Sequence, residues 1–190
     1  MISADLLIHA YQSGAFPMAA ASGEISWYSP DPRAIIPLDE CFHIPHGLAR
    51  TLKKNIFEIR INSAFGAVMR GCAEREETWI NREIIESYEN LHHLGHAHSV
   101  EAWQGGRLAG GLYGVGVGGA FFGESMFHEV TDASKVALAA LVMRLRERGY
   151  RLLDTQWTTP HLRTFGACEI SRGKYLKLLA VALHEDCRFA

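Results

Sequence analysis

The chain has 190 residues, of which 48% are hydrophobic and 21% charged, and its formal net charge is −2. This balance fits one globular domain, with or without a small appendage, and argues against a generally basic surface that binds nucleic acid without specificity. A local basic patch is still compatible with this overall charge. The amino-terminal residues lack a basic segment followed by an apolar stretch, and no run reaches the about 18 apolar residues of a membrane span. We therefore expect a cytoplasmic protein.

The four cysteines are widely spaced and contain no C-x-x-C pair. That pattern suits neither a disulfide framework nor a structural zinc site, and it fits reduced thiols.

The first half of the chain predicts short helices and one alternating strand. Ser3 or Asp5 is a suitable cap for a helix over 3–12, and the small residues of 18–24 predict a loop. Three prolines keep residues 30–37 extended. Further elements are helices over 46–55, 64–72 and 82–93, a strand over 57–61 and an acidic loop over 74–77.

In the second half the pattern changes to alternation with a period of two. Strands are expected over 98–103, 108–117 and 120–126, with glycine pairs at the turns between them. Thr131 or Asp132 would cap a helix that runs to about 148, and a strand over 151–155 and helical material over 160–184, broken near Gly166, follow. Three antiparallel strands, a helix, a strand and another helix is the order found in N-acetyltransferase-like folds.

Seven short motifs follow one another along the chain. They are YSPDPR at 28–33, ETWI at 77–80, HAHS at 96–99, FGESMF at 122–127, DASK at 132–135, LDTQ at 153–156 and GACEI at 166–170. Each motif alone is short, but together and in this order they closely resemble the bacterial leucyl/phenylalanyl-tRNA–protein transferases. The resemblance covers nearly the whole chain.

The resemblance implies an α+β, N-acetyltransferase-like domain over 34–190, preceded by a small subdomain over 1–33 that is shortened relative to longer family members. It implies transfer of Leu or Phe, and of Met as a further candidate, from aminoacyl-tRNA to the α-amino group of proteins that begin with Arg or Lys. In the family this modification marks the protein for degradation. The partners would be Leu-tRNA, Phe-tRNA and the acceptor protein, with no membrane, and the enzyme would be a monomer. The ester is already activated, so positioning should supply much of the acceleration and neither a metal nor an organic cofactor is expected.

The reaction needs groups that handle protons, because a free α-amino group has a pKa of about 7.7–8.0 and is largely protonated near neutral pH. Asp154 and Gln156 lie two residues apart at a predicted strand end and hence on one face. The resemblance places them at the reaction centre, with Asp154 accepting the amine's proton or orienting the amine, and Gln156 holding Asp154 or the reacting carbonyl. The alternative for Asp154 is a strand-end cap of the next turn.

Glu124 stands among aromatic and other apolar neighbours, where a carboxylate should be paired because burial of an isolated charge is costly. A structural ion pair with an arginine is one explanation. The resemblance favours recognition of the acceptor's cationic side chain or of its α-ammonium.

The family also implies two apolar sites. Positions that would line the pocket for the Leu or Phe side chain are Leu112, Phe121, Met126 and Leu141, although their spacing alone is typical of ordinary core. Positions that would surround the terminal adenosine are Tyr11, Met18, Trp79 and Tyr88, where Met18 replaces a tryptophan common in the family.

A basic region would contact the tRNA body. It consists of Arg50, Lys53, Lys54 and Arg60, and on sequence alone it could equally be a solvated helix face.

Other patterns carry less weight. The histidines at 92, 93, 96 and 98 lack the Glu of an H-E-x-x-H zinc motif, so no metal site is expected. An acyl-CoA-dependent N-acetyltransferase is an alternative on the same fold, but residues 128–133 carry two acidic side chains where a pyrophosphate would need positive potential. A non-catalytic tRNA-binding module is the alternative from another class.

Overall fold

The computed structural model of the protein describes residues 1–74 and 78–190, so most of the acidic loop and the first residue of the ETWI motif lie outside the described residues. The helices are α1 (Ala4–Gln12), α2 (His46–Lys54), α3 (Phe65–Ala73), α4 (Arg82–His93), α5 (Ala133–Glu147), α6 (Pro160–Arg163) and α7 (Arg172–Leu183). The strands are β1 (Phe16–Ala19), β2 (Ile25–Tyr28), β3 (Arg33–Ile36), β4 (Glu58–Ile61), β5 (Ala97–Gln104), β6 (Arg107–Val117), β7 (Ala120–His128), β8 (Leu152–Gln156) and β9 (Cys168–Ile170).

Seven strands form one mixed sheet in the order β4-β5-β6-β7-β8-β3-β9, and β1 and β2 form a separate hairpin. All neighbours in the large sheet are antiparallel except β7 and β8, which are joined through α5 and run parallel. The fold is therefore an α+β arrangement with a mostly antiparallel sheet. Its N-acetyltransferase-like character stays a prediction.

The sheet separates two hydrophobic cores, because adjacent residues of a strand point to opposite faces. On β6 Tyr113 belongs to the first core and Leu112 to the second, and on β7 the same holds for Phe122 and Phe121. Helices α1, α3, α4 and α7 supply the first core, and α5 with α2 supplies the second. The sheet is thus covered on both sides.

Of the two expected helix caps, the one at Ser3 is confirmed and the one at the start of α5 is wrong. The hydroxyl of Ser3 accepts a hydrogen bond from the Leu6 amide at the start of α1. Asp132 precedes α5 as expected, but its side chain makes no cap. It has a φ of +70° and binds Lys135 and Thr51 instead, at 2.8 and 2.9 Å. Through Thr51, this contact fastens α2 to the start of α5.

Two expectations were wrong in detail. Residues 18–24 are not all loop, since Met18 pairs with Ser26 inside the β1–β2 hairpin. Residues 160–184 are not all helical, since the three-residue strand β9 pairs with β3. Strands β1 and β9 are short, and each depends on pairing with another strand. Local composition does not predict such pairing.

Two β-bulges lie near the point where β7 and β8 stop pairing. On β6, Gly114 pairs with Gly123 of β7, and Tyr113 pairs with Ser125. Glu124 is therefore the extra residue in β7. In β8 the extra residue opposite β3 is Thr155. A bulge bends its strand and redirects one side chain, and such bulges are common beside active sites.

Gly114 permits the bulge in β7. A Cβ atom at this position would lie 2.3 Å from the carbonyl oxygen of Phe122 and 2.5 Å from the ring of Phe121. The two strands can therefore approach this closely only with glycine here.

Glu101 is a fully buried carboxylate that holds the start of α3. Its Oε1 accepts hydrogen bonds from the backbone amides of Ser63 and Ala64 at 2.9 Å and from the Ser99 hydroxyl at 2.7 Å, and its Oε2 accepts from the indole of Trp103 at 3.2 Å. A side chain distant in sequence thus holds the two residues that precede α3, a helix whose start has no side-chain cap of its own.

We predict that Glu101→Ala lowers the free energy of unfolding by at least about 2 kcal/mol, because it leaves four hydrogen-bond donors in the interior without their acceptor. Urea unfolding measures the change. Glu58→Gln is the control, since Glu58 is exposed in an ion pair with Arg60 and its loss should leave the free energy of unfolding nearly unchanged. Equal stability of the two variants would contradict this role of Glu101.

Among residues 1–74 and 78–190, no helix is both long enough and apolar enough to cross a membrane.

Candidate active site

A cavity of about 380 Å³ lies where the parallel strands β7 and β8 separate. Pairing of these strands ends at Phe122 and Asp154, although β7 continues to His128. The strand residues that line the cavity come from beyond or beside this point and include Glu124 and Gln156. Unpaired strand ends at a parallel pair leave a crevice with polar groups at its rim, which is a common place for ligands in sheets of this kind.

The cavity has two chemically different parts, because its lining draws on both cores. What we call the aliphatic chamber belongs to the core beside α5 and consists of Leu112, Met126, Leu138, Leu141, Leu153 and Leu162. What we call the aromatic chamber lies against the other core and consists of Phe16, Met18, Trp79 and Trp157. The cavity therefore passes from one face of the sheet to the other through the gap between β7 and β8.

Glu124 lies in this gap, and among the described residues it is the one carboxylate that lines the cavity. Its Oε1 accepts a hydrogen bond from the Tyr11 hydroxyl at 2.7 Å and another from the Gln156 side-chain amide at 3.2 Å. The Tyr11 hydroxyl is in turn hydrogen-bonded to that of Tyr88. The carboxylate is thus oriented by neutral donors.

Burial raises the pKa of Glu124 to about 8, and the nearby charge of Asp154 adds to the effect. The hydrogen bond from Tyr11 and the charge of Arg33 oppose the shift without cancelling it. Glu124 keeps a partial exposure through the cavity, while its carboxyl group is otherwise enclosed by protein. A carboxyl group with such a pKa can exchange a proton with an α-amino group at little energetic cost.

Asp154 lies next to the gap but is fully buried, in an ion pair with the equally buried Arg33. Arg33 donates from Nε to Oδ1 at 2.9 Å and from Nη2 to Oδ2 at 2.6 Å. The Gln156 backbone amide donates to Oδ1 and the Tyr175 hydroxyl to Oδ2, each at 2.9 Å. These four donors occupy the roughly four lone-pair positions that a carboxylate offers. The geometry therefore favours a role for Asp154 in holding the site rather than in accepting a substrate proton.

Arg33 is fixed on all sides. Its Nη1 donates to the carbonyl oxygen of Gly14 at 2.9 Å, and its guanidinium lies over the rings of Phe16 and Tyr175 at 4.9 and 4.5 Å from their centroids. Burial opposes its charge, but the hydrogen bonds and the charge of Asp154 outweigh that penalty and raise the pKa of Arg33.

Gln156 owes its position to Asp154. Its φ is +59°, an unfavourable value for a residue with a side chain, and the Trp157 amide closes a tight turn onto the Thr155 carbonyl at 2.7 Å. The hydrogen bond from its backbone amide to Asp154 stabilises this turn and directs the side-chain amide to Glu124. Asp154 and Gln156 do meet at one strand end through this hydrogen bond. The bulge at Thr155 sets them opposite the adjacent residues Ile35 and Ala34 of β3, so the shared strand face expected from their spacing is not what joins them.

Of the four residues expected to line an aminoacyl pocket, Leu112, Met126 and Leu141 line the aliphatic chamber. Phe121 does not. It is fully buried behind the cavity, where its ring stacks on Phe189 at 5.0 Å. Phe121 shares a strand face with Met126, but it lies where β7 still pairs with β8, before the two strands separate and the cavity opens.

Of the four residues expected around a terminal adenosine, two line the cavity and two do not. Met18 and Trp79 line the aromatic chamber, whereas Tyr11 and Tyr88 are fully buried and present their hydroxyls to Glu124 and to each other. In this conformation the rings of the two tyrosines offer no open face to a base.

The expected basic region is split by the structure. Arg50, Lys53 and Lys54 are exposed on α2. Arg60 lies on β4, where it binds both carboxylate oxygens of Glu58 and covers the indole of Trp103 at 4.4 Å. Its charge is therefore already paired.

Sequence reasoning missed Arg33 and Trp157 as site residues. Arg33 ends the YSPDPR motif, and an arginine within an otherwise apolar strand was a signal for a buried ion pair. No group of three His, Cys, Asp or Glu side chains within the described ranges is arranged to hold a metal ion.

Comparisons with known proteins show which family the sequence matches. Residues 35–180 match the family described as leucyl/phenylalanyl-tRNA protein transferase, and residues 1–31 match the N-terminal domain of the same family. A leucyl/phenylalanyl-tRNA–protein transferase of Herpetosiphon aurantiacus is 57% identical over 99% of this chain and 98% of its own length. Those of Akkermansia muciniphila and Rubrobacter xylanophilus are 56% and 54% identical, over 97% and 100% of this chain and over 98% and 99% of their own lengths.

Among solved structures, L-PGS from Bacillus licheniformis is 13% identical with a TM-score of 0.45, over 85% of this chain and 55% of that one.

The sequence matches define an aminoacyltransferase. The chain belongs to the leucyl/phenylalanyl-tRNA–protein transferase family.

We predict that Arg33→Met lowers the free energy of unfolding by about 3–5 kcal/mol, because it leaves the Asp154 charge buried without its partner. The double variant Arg33→Met/Asp154→Leu should recover most of the loss. Urea unfolding measures both. Arg82→Met is the control, since Arg82 is 91% exposed in its ion pair with Glu86 and its loss should leave the free energy of unfolding nearly unchanged. An Arg33→Met variant as stable as wild type would show that leaving Asp154 buried without Arg33 has no such cost in free energy.

A second prediction concerns the pH dependence of stability. The folded chain holds the Glu124 proton up to pH about 8, whereas the unfolded chain releases it near 4.5. The stability contributed by protonated Glu124 is therefore complete below pH 4.5 and is lost as the pH rises through about 8. Glu124→Gln cannot titrate, so its melting temperature relative to wild type should rise between pH 5 and about 8.5 and then level off. The exposed Glu129→Gln is the control for loss of a carboxylate. A difference that is independent of pH would refute the shifted pKa.

Proposed function

We propose that the protein transfers Leu or Phe, and also Met, from aminoacyl-tRNA to the α-amino group of proteins that begin with Arg or Lys, and thereby marks them for degradation. The single observation that carries the proposal is the two-part cavity with Glu124 in its gap. The aliphatic chamber suits an unbranched or branched apolar side chain, and flexible Met126 suits side chains of different shape. The aromatic chamber suits a nucleobase, and the ester between them would lie in the gap beside Glu124 and Gln156.

The proposed reaction is attack of the α-amino nitrogen on the ester carbonyl carbon. A C–N bond forms, the bond from that carbon to the ribose oxygen breaks, and the proton lost by the amine is finally needed by the ribose oxygen. Glu124 is placed to accept this proton and return it, because its pKa of about 8 is close to that of an α-amino group, about 7.7–8.0. Ionised Glu124 would also attract the α-ammonium group into the gap.

Gln156 is proposed to keep Glu124 in position and to contact the reacting carbonyl. Its side-chain amide already donates to Glu124 at 3.2 Å. Asp154 is proposed to act through Gln156, whose backbone amide it binds, rather than on the substrate. Arg33 and Tyr175 would then hold Asp154 and serve as positioning residues for the same turn.

The tRNA body is proposed to lie along α2, where Arg50, Lys53 and Lys54 are exposed and can meet phosphate groups. The hydrogen bond from Thr51 to Asp132 fixes this helix to the start of α5, whose inner face lines the aliphatic chamber. The division into a subdomain over 1–33 and a transferase domain over 34–190 is retained as part of the proposal.

The acyl-CoA alternative is less well supported. Asp132 stands at the start of α5 with its carboxylate bound to Lys135 and Thr51. A pyrophosphate at this helix start would meet a negative charge and a lysine that is already paired.

Transfer assays with Leu-tRNA or Phe-tRNA and four peptides test the proposal. Peptides that begin with Arg or Lys should be labelled, and those that begin with Ala or Glu should not. Glu124→Gln should slow turnover by about 10²–10⁴-fold, the usual contribution of general acid–base assistance, whereas Glu129→Gln should not. Equal labelling of all four peptides would refute the first-residue selectivity. Unchanged turnover in Glu124→Gln would refute the assigned proton acceptor.

A further inference from the structure

Trp157 is a large aromatic residue that stays 45% exposed although it lines the cavity. The tight turn at Gln156 places it there, because the chain reverses between Thr155 and Trp157 and leaves the sheet. Burial of a tryptophan normally stabilises a fold, so an indole held at a cavity mouth with nearly half its surface open calls for a ligand.

The indole is held in place by two other rings. It packs against Phe16 at 5.2 Å with an interplanar angle of 86°, and against Tyr28 at 6.4 Å with an angle of 67°. Phe16 and Tyr28 are directly paired across the β1–β2 hairpin. Edge-to-face contacts of this kind orient a ring without covering both of its faces.

The aromatic chamber otherwise has few open rings. Tyr11 and Tyr88 are fully buried, and Met18 carries a thioether instead of a ring. Within the described residues this leaves Trp79 and Trp157 as the indoles that line the cavity. A flat, uncharged and polarisable ligand fits between such groups. A cationic side chain would instead bind near Glu124, the carboxylate in the gap between β7 and β8.

We propose that Trp157 stacks on the terminal adenine of the aminoacyl-tRNA and supplies an aromatic surface that Tyr11 and Tyr88 do not offer. The inference rests on the proposed function for the identity of the donor. It assigns Trp157 to donor binding and not to the chemical step, so its loss should raise the KM for the donor and leave kcat nearly unchanged.

The test compares Trp157→Ala, Trp157→Phe and the control Trp27→Ala. Trp27 is similarly exposed at 41%, but it pairs with Pro17 and does not line the cavity. Trp157→Ala should raise the KM for leucyl-tRNA and for the minimal donor leucyl-adenosine by the same factor, about 5- to 150-fold, which is the range for loss of one base–aromatic stack. Trp157→Phe should restore most of the affinity, and Trp27→Ala should behave as wild type.

Direct binding separates this inference from the proposed function. The probe is a stable amide analogue of leucyl-adenosine, and its matched partner carries the same leucylamido-ribose without adenine. Calorimetry should show that Trp157→Ala weakens binding of the first compound and not of the second. Such a result with no transfer activity in wild type would refute the proposed function and leave the adenine contact standing.

Three outcomes would overturn the inference. An unchanged KM for leucyl-adenosine in Trp157→Ala would remove Trp157 from the adenine site. An effect on leucyl-tRNA alone would place its contact on another nucleotide. An effect confined to the KM of the acceptor peptide would assign the indole to the acceptor. Thermal melting of each variant checks that the fold is intact, and Trp157→Phe provides the comparison if the alanine variant unfolds.

Discussion

The buried ion pair between Arg33 and Asp154 ties together parts of the chain that are far apart in sequence. Arg33 comes from β3 and binds the carbonyl of Gly14, just after α1. Asp154 ends the part of β8 that pairs with β7 and accepts a hydrogen bond from the Tyr175 hydroxyl of α7. Removing two charges from water is costly unless every donor and lone pair is used. Here that requirement forces the amino-terminal segment, the sheet and α7 into one arrangement, and the turn at Gln156 depends on it.

Two carboxyl groups on neighbouring strands consequently have opposite environments. Asp154 faces a guanidinium and has its lone pairs filled, whereas Glu124 is enclosed among tyrosine hydroxyls and an amide, and none of the cations in the described parts of the chain is in direct contact with it. Such contrasts separate a structural charge from a group that can exchange protons near neutral pH. The sequence places both acids in motifs of the family, but only their surroundings distinguish the two roles.

Elements with strong periodicity could be predicted from the sequence, as α4 and β5 show. Strands β1 and β9 could not, because they are short and exist through pairing with distant segments. For the candidate site, the grouping of Glu124 with Gln156 was within reach of motif and spacing. The buried state of Tyr11 was not, because burial depends on packing between α1 and the sheet rather than on any local pattern.

The same limit applies to the ion pair. Its partners are 121 positions apart in the chain. The sequence around Asp154 therefore does not indicate that Arg33 is its partner. Phe121 illustrates a further cause, since it shares a strand face with Met126 but lies where β7 still pairs with β8, and Phe189, near the end of the chain, covers its ring.

The bulge in β7 separates two properties of the molecule. Because Glu124 is the extra residue, Ser125 and Met126 lie opposite Tyr113 and Leu112, and Met126 shares a face with Leu112 and Phe121. Deleting this one codon would remove the acid and leave a regular strand in which Met126 still pairs with Leu112. The carboxyl group is therefore an insertion into an otherwise regular strand, and the apolar pocket can keep its lining whether or not the acid is present.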